Sequence, residues 1–207
     1  MYEEVSIKGK WVRMPAIAVR DYILIISGKF LKIATIKNEF YEIEEVVNPH
    51  SIIDALKKSK PKADIFTFSQ KIPDSEPKFS YYYELDNVAA IRISTFDDWW
   101  NNKIGRKERQ DMRRAYSRGV EVRLTPFDDN LVKGIMEIYN ETPVRQSKRF
   151  WHYGEDFEAV KKANATYSDR SEFIGAYYKN ELIGFIKIVY CGKSGNMMQI
   201  LGKMNLP

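Results

Sequence analysis

The close of the chain constrains its fold more than any other part. Three runs rich in apolar and β-branched residues follow one another at residues 173–178, 182–190 and 196–204. Only Lys179-Asn180-Glu181 separates the first two. A connection that short leaves no room for a crossover helix, so the spacing predicts a hairpin. Residues 196–204 follow as a third strand.

The rest of the chain alternates strand and helix signals. Residues 120–124 alternate as a strand, and Pro126 ends it. Asp128 or Asp129 then starts a helix with Leu131, Ile135, Ile138 and Tyr139 on one face, closed by Pro143. Another helix is predicted over 156–165. Upstream, Thr95 with Asp98 three residues on is a capping-box variant, and Gly119 suits the residue just past a helix end. The stripe Trp100, Ile104, Met112 and Ala115 predicts one helix between them. The first third reads as β: residues 16–19, 22–26, 30–36 and 40–47, with a turn at Gly28-Lys29. Pro49 stops the last of these. Ser51 is then read as the cap of a short helix to Lys58, with Ile52, Ile53 and Leu56 inward. Residues 64–68, 79–85 and 88–93 read as further strands, the last two joined at Asp86-Asn87, with a proline-bearing loop at 73–78.

The 207 residues, 44% hydrophobic and 14% aromatic, suffice for a packed core in one large domain or two small ones. Cys191 is the single cysteine, so no internal disulfide is possible and a reducing compartment fits. It reads as a small packed residue; a catalytic thiol would need His50 or His152 beside it. The N-terminus lacks an apolar signal core, and residues 22–26 are too short to span a bilayer, so no membrane insertion and a cytoplasmic location are expected. The net charge of +5 permits an anionic partner without demanding one.

Three places carry candidate chemistry. Residues 103–118 hold Lys103, Arg106, Lys107, Arg109, Arg113, Arg114 and Arg118 against Glu108 and Asp111. On a helix, Arg106, Lys107, Arg113 and Arg114 share neighbouring faces. That surface is either a solvated face with cations suited to the helix C-terminus or a phosphate-attracting one for a partner such as nucleic acid. The second place is RQSKRFWHY, residues 145–153, after Pro143. Arg145, Lys148 and Arg149 are charge-assisted donors, and Phe150, Trp151 and Tyr153 offer stacking faces. These residues either bind a substrate or pack the loop onto the core. His152 is either a catalytic base or a hydrogen-bonded side chain, and Glu141 either a base or a surface carboxylate. The third place is Gln199-Ile200-Leu201-Gly202-Lys203-Met204, half of a Q/R-x-x-G-x-G/A loop. Such a loop turns backbone N–H groups toward a pyrophosphate; the other reading is a plain strand holding a glycine. There is no Walker A sequence, Rossmann glycine pattern, Cys/His metal spacing or G-x-S-x-G elbow.

Together these residues resemble a known family. Thr95-Phe96-Asp97-Asp98-Trp99-Trp100, then Arg109, Arg113, Arg114-Ala115 and Arg118-Gly119-Val120-Glu121-Val122, are similar to the helix-to-strand junction of Fem-type peptidyl transferases, two-lobed members of the GNAT-fold acyltransferases. IYNETPVRQSKRFWHYG, residues 138–154, resembles members of the same superfamily. After Gly119 the order also matches the first half of a GNAT lobe: a strand, two helices, three antiparallel strands. The resemblance implies an α/β (α+β) fold with a mixed, largely antiparallel sheet and flanking helices. Residues 1–94 would be a partial first lobe, 95–119 a connecting basic helix and 120–207 the first half of a second lobe. It further implies transfer of an acyl or aminoacyl group from acyl-CoA or aminoacyl-tRNA to a small-molecule or peptidyl amine, without a metal. The donor would lie on the backbone of Gln199, Ile200, Leu201 and Gly202. Arg145, Arg149, Trp151 and Tyr153 are the candidate substrate contacts, and Glu141 and His152 the candidate bases. A GNAT lobe continues into a cofactor-cradling helix, whereas Leu206-Pro207 close this sequence. The expectation is therefore a fragment of a longer protein, or a homo-oligomer that supplies the missing half in trans.

Overall fold

The computed structural model describes residues 1–204. Asn205-Leu206-Pro207, where the sequence reading has the lobe breaking off, lie outside them.

Two sheets organise the chain. The first is formed by β1 (Tyr2–Ile7), β2 (Lys10–Val19), β3 (Tyr22–Ser27), β4 (Ile33–Ile36) and β5 (Ile65–Thr67), lying side by side in that order. β1 to β4 run antiparallel, and β5 joins β4 in parallel after a crossover through α1 (Pro49–Lys58). Lys8 and Gly9, both at positive φ, make the two-residue turn that fits a twisted hairpin. Helix α1 covers one face: Ile52 and Leu56 pack with Val19, Leu24, Ile26, Ala34 and Ile36.

The second sheet has the order β11-β10-β9-β6, antiparallel throughout. Its strands are β6 (Val120–Thr125), β9 (Ser171–Tyr178), β10 (Glu181–Cys191) and β11 (Ser194–Gly202). Between β6 and β9 come α4 (Asp129–Asn140), the short hairpin β7 (Val144–Arg145) and β8 (Lys148–Arg149), and α5 (Phe157–Asn164). Asp128 and Asp156 cap the two helices by accepting the N–H groups of Leu131 and Ala159, both at 2.8 Å. Leu131, Val132, Ile135, Ile138 and Tyr139 of α4, with Val160 of α5, bury against Phe173, Leu182 and Phe185. Gly134 lets α4 approach the sheet: a Cβ there would lie 2.8 Å from a methyl of Leu182. The fold is thus mixed α+β with largely antiparallel sheets.

The two sheets touch through specific contacts. Lys162 of α5 pairs with Glu4 at 2.9 Å and lies over the Trp11 ring. The Tyr41 carbonyl accepts from Arg170 at 2.9 Å, and the Phe40 carbonyl accepts from Asn196 at 2.7 Å.

Several expectations are corrected. Residues 1–14 form most of the long β1–β2 hairpin, which sequence reading misses. Residues 40–47 are not a strand: a 3-10 turn at Glu39–Tyr41 leads into irregular chain whose carbonyls serve the second sheet. Pro49 does not end a strand but opens α1 at its first position, where its missing N–H costs nothing. The cap is Asn48, which accepts from the Ser51 N–H. The strand expected at 30–36 begins only at Ile33. Residues 79–85 and 88–93 pair with no strand among the described residues; strand propensity reflects packing context rather than the backbone alone.

The helix expected over 95–119 is broken. Thr95 does cap α2 (Phe96–Asp98), accepting from Asp98 N at 3.1 Å. A π-helical turn, Trp99–Lys103, follows, and Ile104 and Gly105 are extended before α3 (Arg106–Ser117). The polar middle turns bury nothing that could hold a continuous helix against the cost of Gly105. Arg109 instead donates to the carbonyls of Trp100 and Ile104. No helix among the described residues is long and apolar enough to cross a membrane.

Candidate functional site

The end of α4 brings together most of what the sequence nominates. Tyr139 is fully buried beneath α5 and the sheet. Its hydroxyl donates to Gln199 Oε1 of β11 at 3.0 Å. Burial pushes that phenol up to about 12, so it stays a neutral donor. The His152 ring stacks on Tyr139 with centroids 4.5 Å apart. His152 Nδ1 lies 3.0 Å from Glu155 Oε1. An ionised Glu155 can only accept, so Nδ1 carries the proton and Nε2 is left as the acceptor nitrogen of the ring. This is the arrangement of an oriented general base.

Arg145 and Glu141 are joined but largely committed. Arg145 donates to the carbonyls of Gly202 at 2.9 Å and Ile138 at 2.8 Å, and to Glu141 Oε2 at 3.3 Å, with the Phe150 ring against its guanidinium. Glu141 accepts from the Met204 N–H through both carboxylate oxygens, at 3.0 and 2.8 Å. Together they clamp the end of β11 to the end of α4. Arg149, Trp151 and Tyr153 do not join this cluster: they are exposed around the β7–β8 hairpin, Trp151 at 56%. They lie exposed on either side of the half-buried His152 in sequence.

Gln199 to Gly202 are strand rather than loop. They pair with Lys187, Ile186, Phe185 and Gly184 of β10. β11 is the outer strand of its sheet, so alternate residues present N–H and C=O groups on its far side. The register slips by one residue between Lys187 and Ile188, which makes Met198 the extra residue of a bulge. Bulges re-aim neighbouring side chains and free a backbone group. Ile200 points to the uncovered face at 64% exposure, Leu201 packs with the helix-side core, and Gly202 gives its carbonyl to Arg145.

Sequence reasoning misses two partners here. Glu155 carries a signal, lying three residues past His152, but its value depends on the fold of the loop. Lys187 is the lone charge in the apolar stretch of β10 and is only 1% exposed. Its ammonium donates to the carbonyls of Asn164 and Thr166 and to the Thr166 hydroxyl. Burial lowers it to about 8. Cys191 is buried with its thiol toward the Tyr41 carbonyl, and burial pushes that thiol up, as fits a packed residue. The basic residues of α3 are a separate feature: apart from Arg109 they are all exposed.

No group of three His, Cys, Asp or Glu side chains placed to hold a metal ion occurs among the described residues. No protein-family model matches the chain, and no match is found among curated proteins.

Proposed function

We propose that the protein is an N-acyltransferase that takes an acyl or aminoacyl group from acyl-CoA or aminoacyl-tRNA and passes it to an amine. The observation that carries this reading is β11: an outer strand, bulged at Met198, whose far side pairs with no strand among the described residues, with an oriented histidine one ring away from Gln199. An extended donor arm bearing amides can add to such an edge as a further strand would. The order β6, α4, α5, β9, β10, β11 also has the strand, two helices and three antiparallel strands that the resemblance implies.

The chemistry then needs little beyond placement. The amine nitrogen attacks the donor carbonyl. Its proton passes to His152 Nε2 directly or through water, and Glu155 stabilises the imidazolium. The C–S bond of a thioester, or the C–O bond of an aminoacyl ester, breaks, and the leaving thiolate or alkoxide takes up a proton. Arg149, Trp151 and Tyr153 supply the rim where an amine substrate approaches. The test is thiol release from acetyl-CoA in the presence of a panel of primary amines. His152→Asn is expected to lower the rate by at least tenfold with donor affinity unchanged; equal turnover, or none with any amine, rejects the proposal.

A second reading rests on α3. Its cationic side chains Arg106, Lys107, Arg113 and Arg114 lie exposed on a helix that packs against little else. This surface would serve an anionic polymer such as nucleic acid. Affinity for a short RNA that falls steeply with salt and drops on replacing Arg113 and Arg114 would favour it.

A further inference from the structure

Two surfaces of this chain each lack what the other offers. Residues 88–93 have the composition of a strand but no strand partner, and Ile91 and Ile93 are each 66% exposed. The second sheet has helices on one face only. Its other face shows Val122, Leu124 and Ile200 at 49, 65 and 64% exposure, beside Ile174, Ile186 and Ile188. An antiparallel sheet facing water on one side normally carries polar residues there. β6 borders that face and is an outer strand, with no strand beyond it among the described residues.

We infer that residues 88–93 add as a strand to the β6 edge of a second copy of this chain, in a reciprocal twofold pair. A closed pair satisfies the unpaired segment and the open β6 edge of both copies at once. Charge sets the direction. The segment before residue 88 holds Glu84 and Asp86, and α3, which leads straight into β6, carries Arg113 and Arg114 exposed near its end with Arg118 just past it. Seating the acidic segment beside this basic end runs residues 88–93 parallel to β6, with Ile91 level with Val122 and Ile93 level with Leu124. Ile91 and Ile93 then extend the apolar side-chain rows of the sheet. The breaks at Ile104 and Gly105 give the connecting arm a place to swing.

This pairing makes no use of β11, so it stands or falls separately from acyl transfer. Light scattering on the eluting full chain is expected to give twice 24.3 kDa. Ala90→Pro removes a ladder donor at an exposed position and is expected to halve the mass with the circular dichroism unchanged. Chains carrying Ile91→Cys and chains carrying Val122→Cys, purified apart and mixed under mild oxidant, are expected to form a disulfide-linked heterodimer. A mass of 24.3 kDa at all concentrations overturns the inference. So does a dimer that survives Ala90→Pro, or a 91–122 disulfide that forms only when both cysteines are on one chain.

Discussion

Replacing Lys187 with Met tests the energetics of the second core through the pH dependence of stability. The amine is 1% exposed and meets only neutral acceptors: the carbonyls of Asn164 and Thr166 and the Thr166 hydroxyl. Burial lowers it from a free lysine's 10.5 to about 8. At about 1.4 kcal/mol per pH unit, that displacement is a penalty of about 3 kcal/mol on the folded state wherever both states are protonated. Below about pH 8 the whole penalty applies. Between about 8 and 10.5 the unfolded chain holds a proton the folded chain lacks, so stability rises with pH. About 2 kcal/mol is regained between roughly pH 7 and 9.5. Lys187→Met removes this term but leaves two carbonyls without their donor, at about 1–3 kcal/mol each, so its effect at any one pH is not the readout. The readout is the difference between wild type and variant in urea denaturation at the two pH values. Wild type is expected to gain about 2 kcal/mol on the variant, near 1 M in urea midpoint. A difference that stays flat across that range would refute the burial argument, because titrating tyrosines are common to both chains and cancel.

Other outcomes follow from the packing. Ile135→Ala, at a fully buried position of α4, is expected to cost about 2–5 kcal/mol in chemical denaturation. Asp128→Ala removes the α4 cap and is expected to cost about 0.5–2 kcal/mol, with Asp128→Asn losing much less. Arg145→Met breaks the clamp between α4 and β11 and is expected to lower stability by about 2–4 kcal/mol, since charged donors are withdrawn from half-buried carbonyls. It should also speed amide hydrogen exchange at Gly202 and Met204 before the rest of β10 and β11.

The strands that announce themselves in the sequence are the ones with apolar residues and a short connection, such as β9 and β10, where Lys179 and Asn180 at positive φ make the turn. The helices α4 and α5 are legible because an aspartate sits at each start. The β1–β2 hairpin is hidden by its charged residues: Glu3, Glu4, Lys10 and Arg13 lie on a half-exposed sheet whose register comes from pairing rather than hydrophobicity. Residues 79–93 show the reverse, with strand-type sequence and no ladder among the described residues. At the site, Glu141, Arg145 and His152 could be nominated as reactive types at or after a helix end, and Gln199 from a half-matched glycine motif. That Arg145 and Glu141 are held by the backbone of Gly202 and Met204 depends on contacts between residues 57 and 63 positions apart. Such contacts leave no local pattern to read.

The donor strand can be examined residue by residue. Amide-resolved NMR titration of the full chain with acetyl-CoA is expected to shift the N–H signals of Met198 to Gly202 first, with smaller changes at Tyr139 and His152. Shifts confined to α3, or none at saturating donor, would contradict the assignment of β11 as the surface that holds the acyl group.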